Sequence, residues 1–208
     1  MSTWIGRTIS KVTIQELIGR GGMADVYLGT HTTLNRSVAV KILHGHLVED
    51  ESLMQRFRSE AQAVANLRHP NIVQVFDFDI IEDQPYIIME QLEGPTLADY
   101  LSTLRRAGQK MDPTTTARIV ATLASALDYA HARGIVHRDI KPANVILRRE
   151  AGPWNPASPR IPDDVQPVLT DFGVARISNT TIQTASGMIV GTPAYMSPEQ
   201  VSGRAVDP

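Results

Sequence analysis

The sequence contains no cysteine among its 208 residues, which excludes a disulfide framework and a thiolate metal site. It has no surplus of positive charge either: 20 Lys and Arg stand against 22 Asp and Glu. Composition therefore does not indicate a nucleic acid or an anionic membrane as partner. No apolar run reaches the roughly 18 residues of a membrane span, and the first residues lack the apolar stretch of a signal peptide. We expect a soluble cytoplasmic chain.

The spacing of apolar residues predicts a strand-rich first part and a helical second part, which is an α+β fold. The predicted strands, which show alternating or continuous apolar residues, cover residues 12–18, 26–28, 37–43, 72–78 and 86–89. The predicted helices, with apolar residues three and four apart, cover residues 51–67, 96–106 and 113–133. Gly134 is placed to cap the last helix. The two parts meet near Glu90–Gly94.

Residues 150–166 interrupt this pattern. They contain four prolines, at 153, 156, 159 and 162, and show little periodicity. Such a composition predicts a mobile surface loop. A bulge without a role in chemistry and a loop that docks a partner are both open interpretations.

A glycine-rich turn joins the first two predicted strands, in the run Gly19-Arg-Gly-Gly-Met-Ala-Asp-Val26. Glycines let backbone amides approach phosphate oxygens without a Cβ in the way. A dinucleotide-binding fingerprint would need a helix to follow, and a strand follows here instead. A phosphate-binding loop and a simple tight turn remain as alternatives for this segment alone.

Lys41 and Glu60 form the next candidate pair. Lys41 ends an apolar strand, and Glu60 lies among apolar residues on the inner face of the helix predicted over 51–67. A carboxylate that faces a core is costly unless it is paired. The sequence therefore predicts an ion pair with Lys41, against the alternative of a surface lysine whose stem covers apolar area.

Two short runs carry the strongest chemical signal: His137-Arg-Asp-Ile-Lys-Pro-Ala-Asn144 and Asp171-Phe-Gly173. They place a carboxylate, a lysine, an amide and a second carboxylate on neighbouring loops. Magnesium-dependent phosphoryl transfer requires this set of groups. The 26 residues that separate Asn144 from Asp171 include the proline-rich segment.

These runs resemble the catalytic loop and the metal-binding loop of protein kinases. Gly-Thr-Pro-Ala-Tyr-Met-Ser-Pro-Glu-Gln at 191–200 is similar to bacterial eukaryotic-like Ser/Thr kinases. The resemblance implies a two-lobed fold, with an antiparallel-sheet N-lobe at 1–92 and a helical C-lobe at 93–208. It also implies ATP and Mg²⁺ as cofactors and the Ser/Thr hydroxyls of proteins as substrates.

The resemblance also implies a role for each site residue. Asp139 would direct the substrate hydroxyl, Lys141 would neutralise charge near the γ-phosphate, and Asn144 and Asp171 would hold magnesium. Lys41, held by Glu60, would position the α- and β-phosphates. The residues implied to bind the nucleotide are Ile18, Gly19, Arg20, Gly21, Gly22, Met23, Ala24, Asp25, Val26, Ala39, Lys41, Met89, Glu90, Leu92 and Ile146. Ala24 stands where the family pattern has a third glycine.

Residues 174–199 resemble an activation segment. Arg138 would bind a phosphate carried by Thr181 or Thr184, through charge-assisted hydrogen bonds that order the loop. Thr192 would contact the catalytic loop. The resemblance therefore implies regulation by phosphorylation.

The resemblance extends from about Val12 to Asp207, and a kinase C-lobe has several more helices than this. We therefore expect a C-lobe that lacks its last helices and an exposed apolar surface through which chains associate. Two hypotheses follow. The chain is an active Ser/Thr protein kinase that also phosphorylates its own activation segment, or it is an inactive kinase fragment that binds ATP or a protein partner. The intact set of catalytic residues favours the first.

Overall fold

The computed structural model describes residues 4–22, 24–44, 51–152, 154–172, 193–202, 204 and 206–207. The chain divides into two compact units. The first comprises Met1–Asn66 and Gln74–Gln91, and the second comprises Leu67–Val73 and Leu92–Pro208. The short stretch Leu67–Val73 thus belongs with the later residues, a feature that the sequence pattern did not indicate.

The first unit contains a six-stranded antiparallel sheet with the strand order β1-β2-β3-β4-β6-β5. The strands are β1 (Thr8–Ile9), β2 (Val12–Arg20), β3 (Ala24–His31), β4 (Arg36–Leu43), β5 (Val75–Ile81) and β6 (Gln84–Glu90). The five predicted strands are confirmed, although β5 begins three residues later than predicted. The two-residue strand β1 was not predicted, because it is too short to show a period.

The two faces of this sheet differ in character. One face carries a buried apolar cluster that includes Trp4, Tyr27, Val40 and Ile88. Successive residues of a strand point to opposite faces. The neighbours of Val40 on β4, Ala39 and Lys41, therefore project from the other face of the sheet.

Helix α1 (Glu51–Ala65) packs in the same unit. Phe57, Ala61 and Val64 are buried at spacings of four and three residues, as the predicted amphipathic helix requires. The ring of Phe57 meets the ring of Phe78 on β5 edge to face, with 6.1 Å between the ring centroids. This contact fixes α1 on the strand at the edge of the sheet.

The second unit is mainly helical. Its elements are α2 (Leu97–Arg106), α3 (Pro113–His131), the antiparallel hairpin of β7 (Val145–Arg148) and β8 (Gln166–Leu169), and the short α4 (Pro198–Val201). Asp112 caps α3 by accepting the backbone N–H of Thr115 at 2.9 Å. Gly134 follows α3 with a φ of +72°, which confirms its predicted place at the helix end. Among the described residues, no helix combines the length and the apolar character that crossing a membrane requires.

The proline-rich segment, for which the sequence predicts a mobile surface loop, is exposed or half-buried at most of its described residues but bonds to α3. The guanidinium of Arg118 on α3 donates to the carbonyls of Ile161, Pro162 and Val165 at 3.3, 3.1 and 2.9 Å. Ile161 and Val165 are each only 1% exposed. One arginine side chain offers five N–H donors, so Arg118 alone can bond several carbonyls of this irregular backbone. Because the segment has no periodic apolar pattern, its sequence does not show which of its residues are buried.

A second contact secures the other end of the same segment. The Tyr100 hydroxyl of α2 donates to the carbonyl of Ser158 at 2.8 Å. The ring centroid of Trp154 lies 5.5 Å from that of Tyr100. The segment is thus held to α2 as well as to α3.

We expect the substitution Arg118→Met to reduce the free energy of unfolding by about 2 kcal/mol, because it leaves several partly buried carbonyls without a donor. Urea denaturation with a tryptophan fluorescence readout would measure this loss. Arg106→Met is the matched control, since Arg106 is exposed and, among the described residues, its side chain bonds to the Ser102 carbonyl of its own helix. Equal unfolding midpoints for the two variants would contradict the role of Arg118.

Candidate active site

The catalytic-loop run lies between α3 and β7, and its most buried residue is His137, which is 1% exposed. The Nε2 atom of His137 donates to the carbonyl of Thr170 at 2.9 Å. Its Nδ1 atom accepts the backbone N–H of Asp139 at 3.3 Å. A ring that donates through one nitrogen and accepts through the other is neutral. Burial accordingly lowers the pKa of His137 below its ordinary value.

Asp139, Lys141 and Asn144 meet in the same loop. One carboxylate oxygen of Asp139, Oδ2, lies 2.8 Å from Lys141 Nζ and accepts a hydrogen bond from Asn144 Nδ2, also at 2.8 Å. Asn144 Nδ2 donates in addition to the Asp139 carbonyl at 2.8 Å. Since the amide nitrogen of Asn144 faces Asp139, its side-chain oxygen is the atom that can bind a cation.

Asn144 directly precedes β7, which pairs with β8. The second carboxylate, Asp171, follows β8. The backbone N–H of Thr170 donates to the Asn144 carbonyl at 2.9 Å, and the Thr170 hydroxyl lies 3.2 Å from the same oxygen. Phe172 packs against His137, with 4.4 Å between the ring centroids. Asp171 is thereby fixed in place, because it is the residue after Thr170, which bonds directly to Asn144.

Two residues of the site have strained backbones. Arg138 has a φ of +66° and Asp171 a φ of +64°, in the left-handed region that side chains other than glycine rarely adopt. Each such residue costs about 1–3 kcal/mol and persists only where its surroundings enforce it. Both lie next to the contact between His137 and Thr170, which supplies that enforcement.

The donor set fits a magnesium ion. Mg²⁺ prefers oxygen ligands and is usually bound by one or two carboxylates together with substrate phosphates. Asn144 and Asp171 offer an amide oxygen and a carboxylate. In the described part of the chain no group of three or more His, Cys, Asp or Glu side chains could hold a metal alone.

The register of the sheet gathers four predicted nucleotide-binding residues in the first unit. Val26 pairs with Lys41 across β3 and β4, and Ala39 pairs with Met89 across β4 and β6. Directly paired residues project their side chains from the same face. Since Ala39 and Lys41 are two apart on β4, all four share the face opposite the Trp4 cluster.

The glycine-rich turn joins β2 and β3, as predicted. The backbone N–H of Gly21 donates to the Ala24 carbonyl at 2.9 Å, which closes the turn. Gly19 pairs with Val26, and Arg20 pairs with Asp25 at the ends of the strands. The half-exposed Ile18 precedes them on β2, and Met23 lies outside the described residues.

His44 holds this turn from the end of β4. Its Nδ1 atom lies 3.2 Å from the carbonyl oxygen of Gly22, and its Nε2 atom lies 3.5 Å from Asp25 Oδ1. His44 was not predicted from the sequence, because a single histidine just beyond a strand carries no pattern. The side chain gives the glycine turn two contacts that its own backbone lacks.

The other predicted residues are distributed over both units. Glu60 is half-buried on α1, and its ion pair with Lys41 stays a prediction. The backbone N–H of Glu90 donates to the Gln74 carbonyl at 2.8 Å. Leu92 begins the second stretch of the second unit, and Ile146 lies on β7 opposite Val168.

Of the predicted regulatory residues, only Arg138 is described, in the catalytic loop beside Asp139. Thr181, Thr184 and Thr192 lie outside the described residues. Thr170, which joins the two halves of the site, was not identified from the sequence. Its position directly before Asp171 was the available signal.

Comparison with known proteins agrees with this geometry. The family described as protein kinase domain matches residues 12–208. The serine/threonine-protein kinase Pkn1 of Myxococcus xanthus is 44% identical over 191 residues, which cover 91% of this chain and 25% of Pkn1. The serine/threonine-protein kinase PrkC of Bacillus subtilis is 38% identical over 201 residues, which cover 96% of this chain and 28% of PrkC.

A solved structure shows the same fold. The crystal structure of the Mycobacterium tuberculosis PknI kinase domain matches with a TM-score of 0.75 and 29% identity, over 99% of this chain and 71% of that one. The chain thus spans between a quarter and a third of the length of Pkn1 and PrkC, and most of a solved kinase domain. The family match, these relatives and the fold together show that the chain belongs to the protein kinase family, with bacterial serine/threonine kinases as its relatives.

Proposed function

We propose that this chain transfers the γ-phosphate of ATP to Ser and Thr hydroxyls of proteins, its own activation segment included. The observation that carries the proposal is the Asp139 carboxylate, which Lys141 and Asn144 hold through one oxygen at 2.8 Å each. The side chain of Asp139 is 30% exposed, so a substrate hydroxyl can reach it. A carboxylate fixed beside a lysine and an amide is the arrangement that phosphoryl transfer to a hydroxyl needs.

In this mechanism the second oxygen of Asp139, Oδ1, accepts the hydrogen bond of the substrate hydroxyl and orients its oxygen towards the γ-phosphorus. The new bond joins that oxygen to phosphorus, and the bond from phosphorus to the β–γ bridging oxygen breaks, which leaves ADP. The hydroxyl proton passes to Asp139. Lys141, which is 20% exposed, neutralises charge on the transferred group.

The cofactor residues support the same reaction. Asn144 Oδ1 and the Asp171 carboxylate would hold Mg²⁺, which neutralises charge on the β- and γ-phosphates when it is bound. Lys41, held by Glu60, would position the α- and β-phosphates with the amides of the glycine turn. Val26, Ala39 and Met89 would contact the adenine ring.

Regulation and location are part of the proposal. Arg138 would receive a phosphate on Thr181 or Thr184 and thereby order the activation segment. We place the reaction in the cytoplasm, where ATP and bacterial protein substrates are available.

We expect Asp139→Asn to lower the rate of phosphate transfer by about 10²–10⁴-fold, because the amide cannot accept the hydroxyl proton. ATP affinity should change little, since in the proposed mechanism Asp139 contacts the substrate hydroxyl and not the nucleotide. Mass spectrometry of the chain after incubation with Mg-ATP, beside calorimetric titration with the nucleotide, measures both effects.

Asp83→Asn is the matched control for this substitution, because Asp83 lies in an exposed turn and Asn tolerates its φ of +60°. The control should transfer phosphate like the parent. Transfer by Asp139→Asn at the parent rate would remove Asp139 from the mechanism. Binding of ATP without transfer in the parent would favour the alternative function, an ATP-binding module.

We expect Lys41→Met to reduce transfer by about 10²-fold or more, because the phosphates lose the group that aligns them. Single-turnover transfer to a generic substrate such as myelin basic protein separates this effect from product release. Lys110→Met, at an exposed position after α2, is the control. Unimpaired transfer by Lys41→Met would show that Lys41 has no part in phosphate positioning.

A further inference from the structure

A glutamine of the second unit contacts the catalytic loop from far along the sequence. Gln200 lies on α4, and its Nε2 atom donates to the backbone carbonyl of Arg138 at 2.6 Å, across 62 positions. Its Oε1 atom accepts the backbone N–H of Ser197 at 3.0 Å. The side chain is half-buried. A single amide group therefore joins the start of α4 to the catalytic loop.

The carbonyl that Gln200 binds belongs to the peptide group between Arg138 and Asp139. The N–H of that same peptide donates to His137 Nδ1 at 3.3 Å. The peptide group is planar and nearly rigid, so bonds at its oxygen and at its N–H together fix its orientation. Arg138, whose φ of +66° lies in the strained left-handed region, is the residue directly before this group.

We propose that Gln200 is a positioning residue for Asp139. Its Nε2 donor holds the Arg138 carbonyl, which orients the 138–139 peptide and through it the carboxylate that receives the substrate hydroxyl. This inference rests on the proposed function, since it deepens the role of the same site. It also couples the end of the activation segment to the catalytic loop by one hydrogen bond.

The type of residue separates this role from simple helix capping. Three residues after an N-cap serine, either Glu or Gln can accept the backbone N–H of the cap. Only Gln also carries a donor, and the structure directs that donor to Arg138. A capping role uses Oε1 alone, whereas the positioning role uses Nε2.

Three substitutions of Gln200 distinguish the role of the donor Nε2 from that of the acceptor Oε1. Gln200→Glu keeps the acceptor for Ser197 and loses the donor to Arg138. Gln200→Lys keeps a donor and loses the acceptor, and Gln200→Met loses both at similar size. The readouts are amide hydrogen–deuterium exchange of residues 137–141, the melting temperature, and kcat and KM for ATP, all on the full chain.

We expect Gln200→Glu and Gln200→Met to speed amide exchange in residues 137–141 by about tenfold, the effect of one lost hydrogen bond. Both should lower kcat by about tenfold and leave KM for ATP unchanged, as the loss of a purely positioning contact requires. Gln200→Lys should retain the exchange protection and most of kcat. The melting temperature of Gln200→Glu should fall less than that of Gln200→Met, because its cap is intact.

Exchange and kcat at parent levels in Gln200→Glu, with defects only in the two variants that lack the acceptor, would overturn the inference in favour of capping. The exchange readout does not need phosphate transfer. If the parent transfers no phosphate, the proposed function fails, and exchange in the same three variants still decides whether Gln200 holds the loop. If Gln200→Glu does not fold, the comparison of Gln200→Lys with Gln200→Met isolates the donor.

Discussion

The site depends on one buried imidazole. His137 accepts the N–H of Asp139 and donates to the carbonyl of Thr170, so it joins the loop that carries one carboxylate to the strand that precedes the other. The strained torsions of Arg138 and Asp171 lie on either side of this link. Without this link, both strained residues would lose one of their supports, and the two carboxylates would be held less firmly relative to each other.

This link functions only while the imidazole is neutral, because a protonated Nδ1 cannot accept a hydrogen bond. Burial lowers the pKa of His137 in the folded chain relative to the unfolded chain. The folded state therefore binds fewer protons between the two pKa values, and its stability falls as the pH falls below the ordinary histidine range. At neutral pH the neutral His137 makes its full contribution to the stability of the folded state.

Much of the fold and the site was predictable, for different reasons. Strands and helices followed from apolar periodicity, and residues such as Asp139 and Asn144 stood out as a dense run of chemically matched groups. The packing of residues 154–166 was not predictable, because Arg118 satisfies their carbonyls from α3 without leaving a pattern. His44 and Gln200 were missed for a related reason: each acts through a contact with a distant backbone carbonyl, and a sequence records no distances.

The packed insertion has a further consequence. Arg118 and Tyr100 hold residues 158–165, whereas Asn155, Pro156 and Ala157 are exposed at its tip. The pairing of β7 with β8 sets the distance between Asn144 and Asp171. The number of residues in the exposed tip therefore does not change that distance. Exposed loop tips of this kind accept inserted sequence with little cost. An epitope tag or a fluorophore-labelling peptide placed at Pro156 would therefore report on this protein while leaving Asn144 and Asp171 in register.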